Sequence, residues 1–243
     1  QKASSVIIVQ DPLTSLYEAE VVIDHVDFLS KLGVDVYVLP YLENGKAKHV
    51  KGFLSEFLST AHATNKTLNR YMEYGVPFIT IEPAVALTYR EEYPKYLGRG
   101  NVSYRVFMVQ EYLSWAYQML KQKIKARKLV LQSKKQVALF GHCGEKTAAA
   151  AYAKDWKKIF SLFDLELRVE NVGCCGMAGV YGHEKEHEKS SLSIYKLHWG
   201  SKVPTLEAEG IIPLVTGASC RSQVKRIEKL KPQHPLTLLN SLL

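Results

Sequence analysis

Residues 136–145 read QVALFGHCGE. The first five have the short, mostly apolar pattern of a buried β-strand, and the glycine, histidine and cysteine that follow have the composition of a turn. Helical periodicity then runs over residues 146–163, and strands at 166–172 and 211–216 flank a second helix at 184–199. Because strands that alternate with helices build parallel sheets, this half of the chain is predicted to form a β-α-β-α-β unit. Short helices at 221–230 and 236–242 are expected to close it.

The first half of the chain repeats this order. Strands are predicted at residues 6–9, 34–39 and 77–81, and helices at 17–32 and 50–74 end at Gly33 and Gly75. An offset of 131 residues places Val6 on Val137 and also places Gly45 on Gly176. The sequence therefore predicts an α/β fold of two pseudo-repeated β-α-β-α-β units with mostly parallel sheets. The expected limits are 1–109 for the first repeat (with 104–109 as a connecting segment), 110–135 for a connecting basic helix, and 136–243 for the second repeat.

The chain has 243 residues, of which 47% are hydrophobic, and a formal net charge of +8. A basic stretch runs from Lys121 to Lys135, but apolar residues recur at helical spacing from Trp115 to Leu129, so the lysines are expected on the solvated face of an amphipathic helix. This pattern favours docking to an acidic partner protein over nucleic-acid binding. Because no apolar run approaches about 18–20 residues and no signal-peptide pattern is present, we expect a cytoplasmic protein without a membrane span.

All four cysteines follow predicted strands of the second repeat: Cys143, Cys174, Cys175 and Cys220. Parallel strands bring their carboxyl ends to one edge of a sheet, where open α/β folds bind ligands. Thiolates are soft ligands that select iron-sulfur clusters or zinc. The first repeat has Pro12, Glu43 and Asn44 at the corresponding positions. We therefore predict one metal site, with the four cysteines as its ligands, in the second repeat.

The adjacent pair Cys174 and Cys175 constrains the kind of site. Neighbouring side chains on an extended backbone point to opposite sides, so both can face one target only if the chain turns or the target offers several metal atoms. Gly173 and Gly176 permit such a turn, and the pattern favours a cluster over zinc. Three alternatives stay open: buried structural cysteines, a vicinal disulfide, and a closed structural zinc site.

Four further residues are predicted to support the site. Gly176 lets the backbone turn and approach a cluster. His142 and His183 lie beside the cysteine segments, where each is either a hydrogen-bond donor to sulfur or an exposed or capping histidine. Arg221 follows Cys220 and either compensates the negative charge of the thiolates or is a surface charge.

The cysteine segments resemble a known family. Cys143, the triplet Cys174-Cys175-Gly176 and Cys220 are similar to the cysteine-rich CCG domain. That domain occurs, usually in two copies, in the iron-sulfur subunits of glycolate oxidase and anaerobic glycerol-3-phosphate dehydrogenase, and in a heterodisulfide reductase subunit. A longer set of motifs, spread over nearly the whole chain, resembles the C-terminal region of large bacterial FAD-linked D-2-hydroxyglutarate dehydrogenases. These motifs include Val9-Gln10-Asp11-Pro12, Asn44-Gly45-Lys46, Tyr89-Arg90-Glu91-Glu92-Tyr93, Gly141-His142-Cys143 and Ser219-Cys220-Arg221-Ser222-Gln223.

The resemblance implies an electron-transfer domain in a longer polypeptide whose flavin and ferredoxin-like domains lie upstream. In that family a 2-hydroxy acid reduces FAD, and electrons leave through iron-sulfur centres toward an acceptor that the sequence does not name. FAD is expected only on the upstream domain, since no Gly-x-Gly-x-x-Gly opens a helix here, and the chain alone is not expected to be catalytic. Gln223 stands where the family pattern often has another cysteine, which leaves four ligands for a [4Fe-4S] cluster or zinc. The alternative is a zinc or thiol scaffold without a redox role.

Overall fold

The structure is a computed structural model that describes residues 4–126 and 136–243. The chain divides into two compact units, residues 1–120 and 121–243, and each contains a parallel β-sheet with helices between its strands. The α/β class predicted from the sequence is confirmed. The predicted repeat limits at residues 109 and 136 stay a prediction.

The first unit has a four-stranded sheet in the order β2-β1-β3-β4, and all its strand pairs are parallel. Its strands are β1 (Ser5–Ile8), β2 (Asp35–Val38), β3 (Phe78–Thr80) and β4 (Val106–Met108). Its helices are α1 (Pro12–Tyr17), α2 (Ala19–Lys31), α3 (Lys46–Val50), α4 (Leu54–Met72), α5 (Pro83–Leu87), α6 (Tyr93–Leu97) and α7 (Val109–Trp115), with a π-helical turn at Thr88–Glu92 and a 3-10 turn at Arg99–Asn101. Helix α8 (Tyr117–Ala126) follows.

The second unit has a three-stranded parallel sheet in the order β6-β5-β7. Its strands are β5 (Val137–Phe140), β6 (Leu167–Val169) and β7 (Ile212–Val215). Its helices are α9 (Cys143–Ala148), α10 (Tyr152–Phe160), α11 (Glu188–His198), α12 (Lys202–Ala208), α13 (Ala218–Glu228) and α14 (Pro235–Asn240), with 3-10 turns at Ser161–Phe163, Tyr181–His183 and Lys185–His187.

The predicted pseudo-repeat is visible in the order of the strands and in the turns that follow them. In each unit the first strand lies between the second and the third, β2-β1-β3 and β6-β5-β7. A helix begins shortly after each first strand, at Pro12 and at Cys143. The matched glycines Gly45 and Gly176 both have left-handed backbones, with φ of 75° and 84°. The two halves therefore share one topology.

Several element predictions were wrong in detail. The segment 104–109 is not merely a connection, because Val106–Met108 forms a fourth strand paired with β3. The helix predicted over 50–74 is interrupted at Gly52, whose φ is 81°, and the one predicted over 146–163 begins earlier, at Cys143, and breaks near Ala149. Helix α12 was not predicted, since Pro204 in its first turn reads as a breaker.

The connecting basic helix predicted over 110–135 stays a prediction; its described part contains α7 and α8, which are separated at Ala116. Lys121, Lys123 and Lys125 are exposed and Ile124 is buried, as an amphipathic α8 requires. The remaining residues of the predicted basic stretch, 127–135, lie outside the described residues. No helix within residues 4–126 and 136–243 is both long and apolar enough to cross a bilayer.

Each unit has its own apolar core. In the first unit aromatic side chains dominate, with Phe57, Phe78, Tyr89 and Tyr93 almost fully buried. In the second unit Phe140 and Trp199 pack with ring centroids 4.7 Å apart, in a core that also contains Cys175 and Cys220. This core fixes the backbone on which the cysteine segments are carried.

Candidate thiol site at the strand ends of the second unit

The three cysteine segments follow the three strands of the second sheet. Cys143 is the first residue of α9, just beyond β5; Cys174 and Cys175 lie in the loop after β6; Cys220 lies in the first turn of α13, just beyond β7. Since β5 pairs with both neighbours in parallel, the carboxyl ends of all three strands lie at one edge of the sheet. The topology thus brings together residues far apart in sequence.

The four side chains form a continuous row of neighbouring thiols, here called the thiol row: Cys143, Cys174, Cys175 and Cys220. Cys143 and Cys175 are the two neighbours that lower the pKa of Cys174 most. The Cys175 thiol donates to the Cys220 sulfur across 3.2 Å. All four are free cysteines; Cys143 is exposed, Cys174 is partly buried, and Cys175 and Cys220 are each 3% exposed. The row therefore extends from the surface into the apolar core.

A turn at Gly176 lets the adjacent cysteines belong to the same row. The Gly176 amide donates to the Cys174 sulfur at 3.3 Å, and the φ of Gly176 is 84°. A Cβ atom at this position would lie 2.3 Å from the carbonyl oxygen of Ser191. Glycine is therefore required both for the left-handed backbone and for the close approach of α11.

Hydrogen bonding within the row separates the pKa values of its thiols. Hydrogen bonds from Cys143, and next from Cys175, lower the pKa of Cys174 to about 2. The bond to Cys174 is also the main cause that raises the pKa of Cys143 and of Cys175, with burial adding to both. Hydrogen bonding within the row thus favours negative charge on Cys174 over negative charge on Cys143 or Cys175.

His142 caps the helix that begins at Cys143. It is 8% exposed, and its Nδ1 accepts the Gly144 amide at 3.0 Å. Its own amide donates to Thr216 Oγ1 at 2.8 Å and to Glu145 Oε2 at 3.0 Å. The His142 ring lies beside the row, since a Cβ atom at Gly217 would meet both this ring and the Cys220 sulfur. This histidine therefore combines a capping role with a place beside the row.

His183 has a different environment. It is an exposed residue of the 3-10 turn Tyr181–His183, and its Nε2 is 3.1 Å from Ser222 Oγ. This hydrogen bond joins it to a hydroxyl of α13 rather than to a cysteine sulfur. Its assignment as a supporting residue of the metal site stays a prediction.

Arg221 and Gln223 lie on α13, and their side chains donate hydrogen bonds to backbone carbonyls at the site. The alternative that Arg221 is a surface charge is wrong, because it is 2% exposed and its Nη1 donates to the carbonyls of Val215 at 3.0 Å and Thr216 at 2.9 Å. Gln223 is fully buried, and its Nε2 donates to the Cys175 carbonyl at 3.0 Å and to Ser191 Oγ at 2.9 Å. The residue that replaces a family cysteine therefore positions Cys175 through its backbone.

Three residues of the site were not predicted. Glu145 is fully buried and accepts hydrogen bonds from His142 and Thr216, and burial raises its pKa. Trp199 Nε1 donates to the Gly173 carbonyl at 3.1 Å, and Lys146 Nζ donates to the Val172 carbonyl. A helix start followed by glutamate three residues after the cap was the available signal for Glu145. Neither the hydrophobic periodicity nor the spacing of motifs indicated a role for Lys146.

The corresponding turns of the first unit carry oxygen and amide groups instead of thiols. Asp11 caps α1 by accepting the amides of Leu13 and Thr14, each at 2.9 Å. Asn44 Oδ1 accepts the Lys46 amide at 2.8 Å, just before α3. These side chains stabilise turns, so the thiol row belongs to the second unit.

No set of three or more His, Cys, Asp and Glu side chains within the described ranges 4–126 and 136–243 is arranged to hold a metal ion. The sulfurs of Cys175 and Cys220 are instead in direct contact. Two thiolates bound to one tetrahedral zinc at about 2.3 Å lie roughly 3.8 Å apart, which exceeds the 3.2 Å between Cys175 and Cys220. The donor set is suited to a soft metal, but these sulfurs must separate to ligate one.

Comparison with known proteins relates the chain to dehydrogenases. No protein-family model matches the chain. The chain is 44% identical over all of its 243 residues to a D-2-hydroxyglutarate dehydrogenase of Pantoea ananatis (strain AJ13355), and 41% identical over 239 residues, 98% of the chain, to one of Escherichia coli (strain K12). In both cases it spans 23% of the relative's length.

A more distant relative is also part of a dehydrogenase. The chain is 27% identical over 170 residues to one of the subunits of anaerobic glycerol-3-phosphate dehydrogenase of Escherichia coli (strain K12), a match that covers 68% of the chain and 40% of that relative. The resemblance stated from the motifs is confirmed. The chain is homologous, along its whole length, to one segment of the bacterial D-2-hydroxyglutarate dehydrogenases.

Proposed function

We propose that this chain is the electron-transfer domain of an FAD-linked D-2-hydroxy acid dehydrogenase of the D-2-hydroxyglutarate type. The observation that carries the proposal is the thiol row, in which four cysteines from three strand ends meet in a segment whose relatives are dehydrogenases. The catalytic flavin chemistry is assigned to an upstream domain of the same polypeptide, together with a ferredoxin-like domain. A cytoplasmic location accords with four free thiols.

The row supplies the ligands in this proposal. Cys143, Cys174, Cys175 and Cys220 are four soft sulfur donors, which match the ligand number of a [4Fe-4S] cluster. Such a cluster, when bound, accepts and releases single electrons. The larger size of a cluster relative to one zinc ion agrees with ligands that come from three segments and include an adjacent pair.

The chain's other residues position these ligands. Gly176 allows the turn that places Cys174 and Cys175 in one row. Gln223 holds the carbonyl of Cys175, and Arg221 holds the end of β7 just before Cys220. His142 caps the helix that carries Cys143. His183 is proposed to support the site from the loop after Gly176.

Metal analysis of protein prepared without oxygen tests the proposal. We expect a brown protein with iron and acid-labile sulfide in near-equal amounts, and a Cys175→Ser variant that binds much less of both. Ser193→Ala, an exposed change on α11, is the matched control and should bind as much as the parent chain. A colourless preparation that no reconstitution can load with iron contradicts the proposal. Stoichiometric zinc that resists exchange for iron would instead support a structural scaffold.

A further inference from the structure

Lys146 occupies a position between two of the cysteine segments. It lies on α9 three residues after Cys143, so the two side chains share one face of the helix. Its Nζ donates a hydrogen bond to the carbonyl of Val172, two residues before Cys174. The ammonium group is therefore held where the segment after β5 meets the segment after β6.

The electrostatic surroundings of Lys146 are dominated by the site. Burial lowers the pKa of its half-buried ammonium, while Cys220, Cys143, Glu145 and Cys174 each act in the opposite direction. Three of these four groups belong to the thiol row. A lysine is a compact point charge on a flexible stem, so it can neutralise nearby anions without a fixed geometry.

We propose that Lys146 is the charge-compensating residue of the thiol row: its ammonium offsets the negative charge that the cysteines acquire when they bind metal. Four thiolates bring four negative charges to a partly buried site, and a positive charge nearby reduces the cost of gathering them. The same charge favours the reduced form of a bound redox centre, because reduction adds a further negative charge. The effect on the reduced form rests on the proposed electron-transfer function. Charge compensation of the thiolates applies to any metal that they bind.

The test removes the charge while keeping a donor for Val172. Lys146→Gln retains an amide donor without charge, Lys146→Arg retains the charge, and Lys157→Gln removes an exposed lysine of α10 as the matched control. The first measurement titrates each metal-free 243-residue chain with cobalt(II) and follows the thiolate-to-metal absorption. The second measures the midpoint potential of each anaerobically reconstituted chain by spectroelectrochemistry.

We expect Lys146→Gln to bind cobalt about tenfold more weakly than the parent chain, and the arginine and Lys157 variants to bind within about twofold. In reconstituted protein, Lys146→Gln should decrease the ratio of reduced to oxidised centre at a fixed potential by about tenfold, which is a shift of about 59 mV to more negative values for one electron. Circular dichroism checks that each variant is folded. If the glutamine variant does not fold, Lys146→Met replaces it in both measurements.

The outcomes separate this inference from the proposed function. Equal cobalt affinity and equal potential in all folded variants overturn the role of Lys146, even where an iron-sulfur cluster is present. A chain that takes up no iron and sulfide but still loses cobalt affinity in Lys146→Gln, with rescue by arginine, overturns the redox function and supports charge compensation. If Lys146→Arg also loses cobalt affinity, the inference is overturned as well, because the effect then comes from the lost contact with Val172 and not from the lost charge.

Discussion

At the scale of single residues, the loop that follows the adjacent cysteines Cys174 and Cys175 contains a strained position. Ala178 is exposed and has φ of 44°, a left-handed conformation that costs a residue with a Cβ roughly 1–2 kcal/mol. Replacing it by glycine removes that cost but adds flexibility to the unfolded chain. We predict that Ala178→Gly raises the free energy of unfolding by about 0.5–1 kcal/mol, measured by urea denaturation.

The control for this prediction is Ala153→Gly on α10, where glycine should lower the free energy of unfolding by about 1 kcal/mol. A loss of stability in Ala178→Gly similar to that of the control would contradict the strain assigned to Ala178.

Two glycines of the same loop make a second matched pair. Gly176 and Gly179 both have left-handed backbones, with φ of 84° and 69°, but a Cβ at Gly176 meets the Ser191 carbonyl at 2.3 Å and one at Gly179 meets no atom within 4 Å. Gly179→Ala should cost about 1 kcal/mol, and Gly176→Ala at least about 1 kcal/mol more, because backbone must shift. Gly176→Ala should also reduce metal uptake. Equal losses of stability in both variants would show that α11 does not confine the turn.

What the sequence could predict at this scale depended on the residue type. Cys143, Cys174, Cys175 and Cys220 were found because thiols are rare and followed strands. Arginine and lysine are usually solvated, so neither the burial of Arg221 nor the contact of Lys146 with Val172 has a signature in spacing or periodicity. Both depend on which backbone carbonyls the tertiary fold leaves available.

At the scale of elements, the start of α9 couples the site to pH. Burial is the largest cause that raises the pKa of Glu145 above its usual value of 4.5, although hydrogen bonds to Thr216 and His142 oppose it. A carboxyl whose pKa is raised in the folded state stabilises the protein most below the unfolded pKa, and that contribution is lost as pH rises through the folded pKa. The parent chain should therefore lose stability relative to Glu145→Gln as pH rises above about 4.5.

Urea denaturation of both proteins between pH 4 and pH 8 measures this difference. Taking the difference between the two proteins removes the contribution of groups they share. A difference that stays constant over the range, or that favours the parent chain increasingly at high pH, would contradict the raised pKa of Glu145.

Element boundaries were predictable where apolar runs were long and glycine ended them. The helix stop at Gly33 is an example, since its φ is 72° and α2 ends at Lys31. Strand β4, Val106–Met108, was predicted as a connecting segment although it is as long as β3 and β6. It is a strand because β3 offers a free edge beside it, and that information is tertiary.

At the scale of the whole molecule, the duplication was predictable because an offset of 131 residues aligns Val6 with Val137 and Gly45 with Gly176. The two sheets repeat the order of their first three strands, but only the second repeat contains cysteine. In the first repeat, Asp11 caps α1, and Asn44 accepts the Lys46 amide in the turn before α3. Both repeats therefore have the same order of their first three strands, whereas the thiols occur only in the second repeat.

In the intact dehydrogenase polypeptide, the proposed division of labour predicts a selective defect. Cys175→Ser should leave reduction of an artificial dye by a D-2-hydroxy acid within about twofold of the parent enzyme, because that step needs the flavin domain. Transfer to the natural acceptor should fall at least about tenfold, because it requires the ligand at Cys175. Ser193→Ala should change neither rate. Equal loss of both activities, with loss of folding, would support a scaffold role instead.

The central claim is that four sulfurs from three strand ends bind one iron-sulfur centre. An anaerobic crystal structure with anomalous data at the iron absorption edge tests it directly. We expect iron density bonded to Sγ of Cys143, Cys174, Cys175 and Cys220, with the sulfurs of Cys175 and Cys220 farther apart than 3.2 Å. Iron-free protein after reconstitution, with Cys175 and Cys220 still in contact within the apolar core, would contradict it.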